Sequence, residues 1–444
     1  MNPSMSPLQG HKYAFFWTLL VLFQLFIAIP SAHAVPAFAR QTGQNCVACH
    51  AGGQFPELTS YGRLFKLTGY TIGTRGVPLA IAGVASYSKS SSPTSDPTFA
   101  KDGSAIFQTG SIFLAGKVTD NLGLFAQATY NNYDSQDPNS GQWSGKWESD
   151  NFDMRYVDRF IDTDKDLIVG LNLNNNPSVA DPWNTAPAWI QYVPTQFGVT
   201  GPDANPIITQ LGGQAAGVGA YAFWNKFLYA EMSGYQTANG AFSFLSQGVA
   251  NSDQTKLKGV NPYLRLALSH DWGPNSAMAG IFNFNADVYP DNLNPTGPTT
   301  HYHDRGVDFQ YQYLLDPHTA TAQIAYVKEN IDNGDVTGVA TNNSNSLTQL
   351  RLKASYVYGA KYGGSIGYMS TTGTADTTLY SSANFSPSTR GWTPELFWMP
   401  IQNIRVGAQY YMYTKFDGAT NNYDGAGRNA KDNDTFFFYV WGAY

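Results

Sequence analysis

Arg405-Val406-Gly407-Ala408-Gln409-Tyr410-Tyr411-Met412-Tyr413-Thr414-Lys415 alternates with a period of two. Arg405, Gln409, Tyr411, Tyr413 and Lys415 share one parity; Val406, Ala408, Tyr410 and Met412 share the other. Successive side chains of a strand point to opposite faces. One polar and one apolar face suit a strand between an aqueous lumen and lipid. The same alternation recurs in Ile112–Lys117, Leu122–Tyr130 and Leu264–Leu268. From Val77 to Tyr444 sixteen such segments can be read. Short turns separate alternate pairs, at Thr119-Asp120-Asn121, Thr163-Asp164, Asn225-Lys226, Gly273-Pro274-Asn275, Asp316-Pro317-His318, Gly359-Ala360-Lys361 and Ile401-Gln402-Asn403. Long polar connections fall between them. Short on one side and long on the other predicts an all-β fold, a 16-stranded antiparallel transmembrane β-barrel with periplasmic turns and extracellular loops. An even strand number puts both termini in the periplasm.

Composition agrees. Charged residues make up 13% of the chain, against about 25% in ordinary soluble domains. Aromatics reach 15%, with 28 Tyr and 43 Gly, and Tyr and Trp suit membrane interfaces. In the last segment Phe436, Phe438, Val440 and Tyr444 share a face and the chain stops on an aromatic, as outer-membrane barrels do. A soluble sandwich or propeller explains neither the loop asymmetry nor that terminus. The net charge of −6 excludes a nucleic-acid binder.

The chain begins with Lys12, an apolar run from Tyr13 to Ala28, and the small-residue box Ala32-His33-Ala34. Residues 1–34 therefore read as a cleaved signal peptide.

Between signal and barrel, residues 35–76 form a unit centred on Cys46-Val47-Ala48-Cys49-His50. This spacing is that of a c-type haem attachment site. Two thiols one turn apart can bond to one porphyrin edge, and the adjacent histidine can ligate the iron. The two cysteines are the only ones in the chain. A zinc site would need further ligands at matching spacing, and a redox disulfide of thioredoxin type would need a βαβ setting; neither is present. Phe55-Pro56-Glu57 suggests a helix start, after which Leu58, Tyr61, Leu64 and Phe65 fall on one face. Arg40, Arg63 and Lys66 are candidates for the haem propionates, with solvated side chains the alternative.

So small a unit cannot bury a haem and a core of its own. It holds no methionine, and no histidine besides His50, so a second axial ligand must come from elsewhere. Strand parity assigns Met154, Met232, Met278 and Met412 to the lipid face, and Met399 and Met369 to the lumen. His301 and His303 lie at an extracellular strand end and His318 in a periplasmic turn. Met399, Met369, His301 and His303 thus stand as distal candidates. The longest connection, 176–215, with Trp183 and Trp189, is expected to fold into the lumen and narrow it.

Phe38-Ala39-Arg40-Gln41-Thr42-Gly43, the haem motif, Phe55-Pro56-Glu57-Leu58 and Tyr61-Gly62-Arg63-Leu64-Phe65-Lys66-Leu67-Thr68-Gly69-Tyr70 resemble the fused monohaem cytochrome–porins. The best-known members of that family are outer-membrane Fe(II) oxidases. The resemblance covers residues 36–72 closely and the barrel only in architecture. It implies one covalent haem c on Cys46 and Cys49, with His50 as axial iron ligand. It also implies electrons passing from extracellular Fe(II) to a periplasmic cytochrome.

The chemistry expected is one-electron transfer at haem, of the Fe(II):cytochrome c oxidoreductase kind, in the outer membrane. No Ser-His-Asp set, carboxylate pair in a defined context, or phosphate-binding glycine loop is evident. Loop aspartates such as Asp96, Asp102, Asp134, Asp137, Asp291, Asp335 and Asp424 lend light support to an iron donor. The alternatives are a small-solute porin with a structural haem plug, extracellular electron exchange with a non-iron partner, and a haem sensor or peroxidase-like enzyme.

Overall fold

A computed structural model describes residues 36–53, 57–92, 103–137, 139–185, 204–248, 254–334 and 338–444. The signal segment, Phe55-Pro56, Trp189, Asp96, Asp102 and Asp335 lie outside the described residues. The first eight strands are β1 (Leu79–Ser90), β2 (Ala105–Lys117), β3 (Leu122–Gln136), β4 (Trp143–Ile161), β5 (Asp166–Asn174), β6 (Ala215–Trp224), β7 (Leu228–Thr237) and β8 (Asn261–Trp272). The rest are β9 (Asn275–Val288), β10 (Thr300–Leu315), β11 (His318–Asp332), β12 (Ser344–Tyr358), β13 (Tyr362–Gly373), β14 (Thr389–Ile401), β15 (Ile404–Lys415) and β16 (Thr435–Ala443). Each pairs antiparallel with its sequence neighbours, and β1 closes on β16 with Ala82 opposite Ala443 and Ser90 opposite Thr435.

Closure leaves no sheet edge, so each strand is hydrogen-bonded to a neighbour on both sides, as a bilayer demands. The parity read from Arg405–Lys415 holds: Gln409 and Tyr413 are buried inside while Tyr410 faces out. Across the wall Ile81, Leu171, Met232, Leu266, Ile281, Val307 and Leu396 are exposed on the outer face. Such a belt is stable only against lipid. No described helix is long and apolar enough to cross a membrane, which says nothing against strands crossing it.

One parity assignment is corrected. Met278 points inward and is 2% exposed, packed with Leu67, Trp183, Tyr221 and Tyr229. On β9 the inward set, Met278, Phe282 and Phe284, is as apolar as the outward Ala279 and Ile281. Polarity cannot orient a strand whose lumen side is packed rather than wet.

What fills the lumen there is chain. After β5, the turn α1 (Pro177–Ala180) and Trp183 pack inside the wall, and Ile207, Ile208 and Leu211 pack against Tyr263, Phe282, Phe284 and Val327. The carboxylates of Glu329 and Asp304 accept from the backbone N–H groups of Ile207 and Ile208, at 2.6 and 3.0 Å. The described parts of the long connection thus fold inward, as its length and tryptophans suggested.

Candidate functional site: the Cys46–His50 motif inside the barrel

The N-terminal segment is bolted to the wall residue by residue. Helix α2 (Pro36–Thr42) sets Ala37 against Ala80 and Ala115 of β1 and β2. Gln41 is buried; its amide donates to the carbonyls of Tyr70 and Ile72 and its oxygen accepts from Lys117 N at 2.7 Å. Phe38 stacks on Tyr70 at 5.2 Å and meets Phe65 edge-on at 4.9 Å.

The motif itself is a single helical turn, α3 (Cys46–Cys49), with His50 leaving it in extended conformation. Cys46 N–H donates to Oε1 of Gln402 at 3.3 Å, and its Sγ lies 3.9 Å from the Gln402 carbonyl. Gln402 sits in the short β14–β15 turn, so the motif occupies the short-turn end of the lumen. The backbone then doubles back: His50 bridges Leu58, and Thr59 N–H donates to Cys49 O at 2.9 Å. Thr59 also caps helix α4 (Ser60–Leu67), its hydroxyl accepting from Gly62 N–H at 3.1 Å. The helix therefore starts at Ser60: the described residues Glu57 to Thr59, where its first turn was expected, pair instead with the Cys46–Gly53 stretch.

Two glycines make this compactness possible. A β-carbon on Gly62 would lie 2.1 Å from the Cys49 carbonyl oxygen, and one on Gly52 (φ +59°) 2.8 Å from the Cβ of Val357. Only a bare backbone fits either place.

Helix α4 crosses the lumen. At one end Glu57 is ion-paired to Lys353 of β12 at 2.5 Å. Midway, Arg63 donates to Gln312 at 2.9 Å and Ser276 at 2.6 Å, with Asp271 at 3.6 Å. At the far end Lys66 donates to the carbonyls of Val179 and Asp181, and Tyr221 to Leu67 O at 2.8 Å. Tyr70 then reaches Asp153 of β4 at 2.5 Å. β12 and β4 stand half a ring apart, so the segment is braced from wall to wall. Arg63 and Lys66 are buried wall anchors and Arg40 donates to the carbonyls of Val77 and Leu79. The alternative of solvated side chains is corrected for Arg63 and Lys66, which are buried; all three cations hold carbonyl or side-chain acceptors.

Electrostatics follow from this burial. Burial pushes the His50 imidazole down to about 4, with Glu57 opposing in part, so the ring is neutral near pH 7. Burial, with Cys46 alongside, pushes the Cys49 thiol up to about 11. No disulfide joins the two cysteines. Beside the motif Cys49, His50, Leu58, Tyr61 and Leu64 are only half-buried and Val47 is exposed, while Phe65, Leu67 and Tyr70 are enclosed.

Of the distal candidates, Met399 faces inward, 4% exposed, packed with Val357 and Phe397. Its Cε lies 3.8 Å from where a β-carbon on Gly53 would sit. Met369 is inward and half-buried but farther up the wall, opposite Arg351. His301 and His303 are corrected: they alternate with lumen-facing Asp304 and Asp308 and share the outward parity of Val307 and Phe309. The wall itself stands between them and the motif. His318 bonds Tyr356 at the short-turn rim. Sequence reading gave no hint of Gln402, or of the Glu57–Lys353 and Tyr70–Asp153 pairs, because each joins positions remote in the chain.

The fit of these residues to a covalent haem is good on three counts. The thiols are unbridged, the imidazole is in its ligating, neutral form, and a half-open apolar face adjoins them.

No protein-family model matches the sequence, and no curated protein matches it. Among solved structures, Salmonella typhi OmpF in complex with daunomycin aligns over 82% of this chain and 97% of its own, at 12% identity and TM-score 0.48. Vibrio cholerae OmpT covers the same shares at 10% and 0.44. The outer membrane channel DcaP of Acinetobacter baumannii aligns over 82% of this chain and 96% of its own, at 12% and 0.44. By its own topology the chain is a porin-like sixteen-stranded transmembrane barrel.

Proposed function

We propose that this chain is an outer-membrane cytochrome–porin that passes electrons between an extracellular donor, Fe(II) by the resemblance of residues 36–72, and periplasmic carriers through one covalent haem c. The observation that carries the reading is the Cys46–His50 motif held inside the barrel at its short-turn end, on a segment braced across the lumen. In this reading the signal peptide exports the chain, and the termini and short turns face the periplasm.

Cys46 and Cys49 would hold the porphyrin by thioether bonds, and His50 would ligate the iron. Met399, an inward methionine whose Cε lies 3.8 Å from where a β-carbon on Gly53 would sit, would be the candidate second iron ligand. The bound haem would supply one-electron redox chemistry. The chain's own contribution is to position and enclose. Thr59 and Gly62 clamp the attachment turn, Gln402 holds it at the rim, and the half-open apolar face limits water at the site. Held at the short-turn rim, the motif stands beside the periplasmic carriers, and an outside donor would reach it by entering the lumen rather than across the apolar band, about 25 Å tall.

The test has two parts. Denatured, purified protein should retain one covalent haem per chain by its absorbance spectrum, and Cys46→Ser with Cys49→Ser should lose it. Anaerobic Fe(II) should then reduce the wild-type haem; a spectrum unchanged on mixing would retire iron as donor. A small-solute porin with a structural haem draws its support from the barrel architecture. Single-channel conductance separates the two, since steady open-pore currents would favour the porin and a closed baseline the conduit.

A further inference from the structure

The outer face of β9–β12 changes character in one step of the pleat. One outward row reads Ile281, Val307, Tyr326 and Leu350, paired strand to strand. The next row toward the long loops reads Asn283, Arg305, Lys328 and Thr348, again in register. Two residues of strand advance about 7 Å, so four apolar side chains give way to two cations and two polar groups within that distance. Arg305 and Lys328 are direct cross-strand partners and both are exposed.

Their charge is uncompensated locally. Among the described residues neither forms an ion pair; Asp287, on the same face, is taken by His301 at 2.8 Å, and Asp332 lies two rows farther out. Arg305 is nonetheless oriented: its Nε donates to His303 Nε2 at 3.2 Å, and the Asn283 amide donates to the same nitrogen at 2.7 Å and to Asp304 O at 3.2 Å. The histidine that sequence offered as a haem ligand instead props a guanidinium at the edge of the lipid belt.

We propose that Arg305 and Lys328, with His303 positioning the arginine, form a binding site for a phosphorylated lipid headgroup in the outer leaflet. The chemistry fits on both sides of the boundary. A guanidinium and an ammonium side by side match phosphate oxygens, and acyl chains below the headgroup meet Val307, Phe309, Ile324 and Tyr326, all exposed. Placement on the outer leaflet rests on the orientation given above and not on the haem.

The test uses the full chain in detergent or nanodiscs, with native mass spectrometry reading bound lipid. The probes are a bis-phosphorylated lipid A and the same lipid with its phosphates removed. Each basic side chain near an anionic headgroup contributes roughly a factor of five, so Arg305→Gln with Lys328→Gln should weaken binding about twenty-five-fold. Lys89→Gln, an exposed cation on β1, should leave it unchanged. Both sites face outward, so folding is checked by heat-modifiable gel mobility. Equal binding of the dephosphorylated lipid, or an equal loss from Lys89→Gln, would overturn the assignment. So would a double variant that binds as wild type.

Discussion

Replacing Gly62 by alanine sets two well-calibrated effects against each other. Alanine is the better helix former by about 1 kcal/mol, so local propensity alone says that α4 gains stability. The structure says otherwise. The new β-carbon would lie 2.1 Å from the Cys49 carbonyl oxygen and 2.9 Å from its carbon, where about 3.3 Å is the usual C···O approach. Helix and the Cys46–Cys49 turn must therefore part by roughly 1 Å. The helix cannot slide to relieve this, being tied to Lys353 at one end and Tyr221 at the other. Overpacking of this kind costs about 1–3 kcal/mol. The same shift strains the Thr59 cap and the Thr59–Cys49 bond, with a cap worth about 1 kcal/mol. The net is a plug less firmly docked by about 1–3 kcal/mol, a five- to 150-fold drop in the ratio of docked to released segment. Limited proteolysis of the folded protein reads this as faster cleavage within residues 36–76; in the haem reading proposed above, covalent haem yield should fall in parallel. Gly76→Ala is the control, since its β-carbon finds only ordinary contacts from 3.8 Å. A Gly62→Ala protein as protease-resistant as wild type, or more so, refutes the close packing of helix on the Cys46–Cys49 turn.

Other expectations follow from the same segment. Glu57→Leu strands the Lys353 ammonium, 18% exposed, beside the plug, and breaking such a pair costs about 3–5 kcal/mol; adding Lys353→Met should restore most of the protease resistance, and no rescue would deny the pairing. Lys66 is a base whose burial lowers it to about 8, from an ordinary 10.5, so the docked segment binds fewer protons than the released one between those values. Docking should therefore strengthen as pH rises from about 8 to 10.5, by up to about 3 kcal/mol, and show no Lys66-dependent change below 8. Lys66→Met should flatten that slope in a pH series of cleavage rates. In the haem reading proposed above, Met399→Leu should abolish a methionine–iron charge-transfer band of the oxidised protein and Met369→Leu should leave it intact; the reverse result would make Met369 the second iron ligand.

Much of this protein is local enough to be legible in its sequence. Strand positions and facing follow from a period of two, because a barrel wall has only two sides and each residue must choose water or lipid. The loop asymmetry and the haem-motif spacing are likewise properties of contiguous residues. Where the lumen is packed with protein that logic fails, as at Met278, whose inward neighbours Phe282 and Phe284 are as apolar as any lipid contact. The wall-to-wall bracing of α4 could not be read either. Glu57 meets Lys353, Arg63 meets Gln312 and Tyr70 meets Asp153 only because closing the ring brings distant strands around one short segment. Parity alone sends His303 outward and Met399 inward, but only the closed ring sets Met399 beside Gly53 of the N-terminal segment. A one-dimensional pattern names the residues able to ligate or anchor; the curvature of the closed sheet decides which of them share an interior.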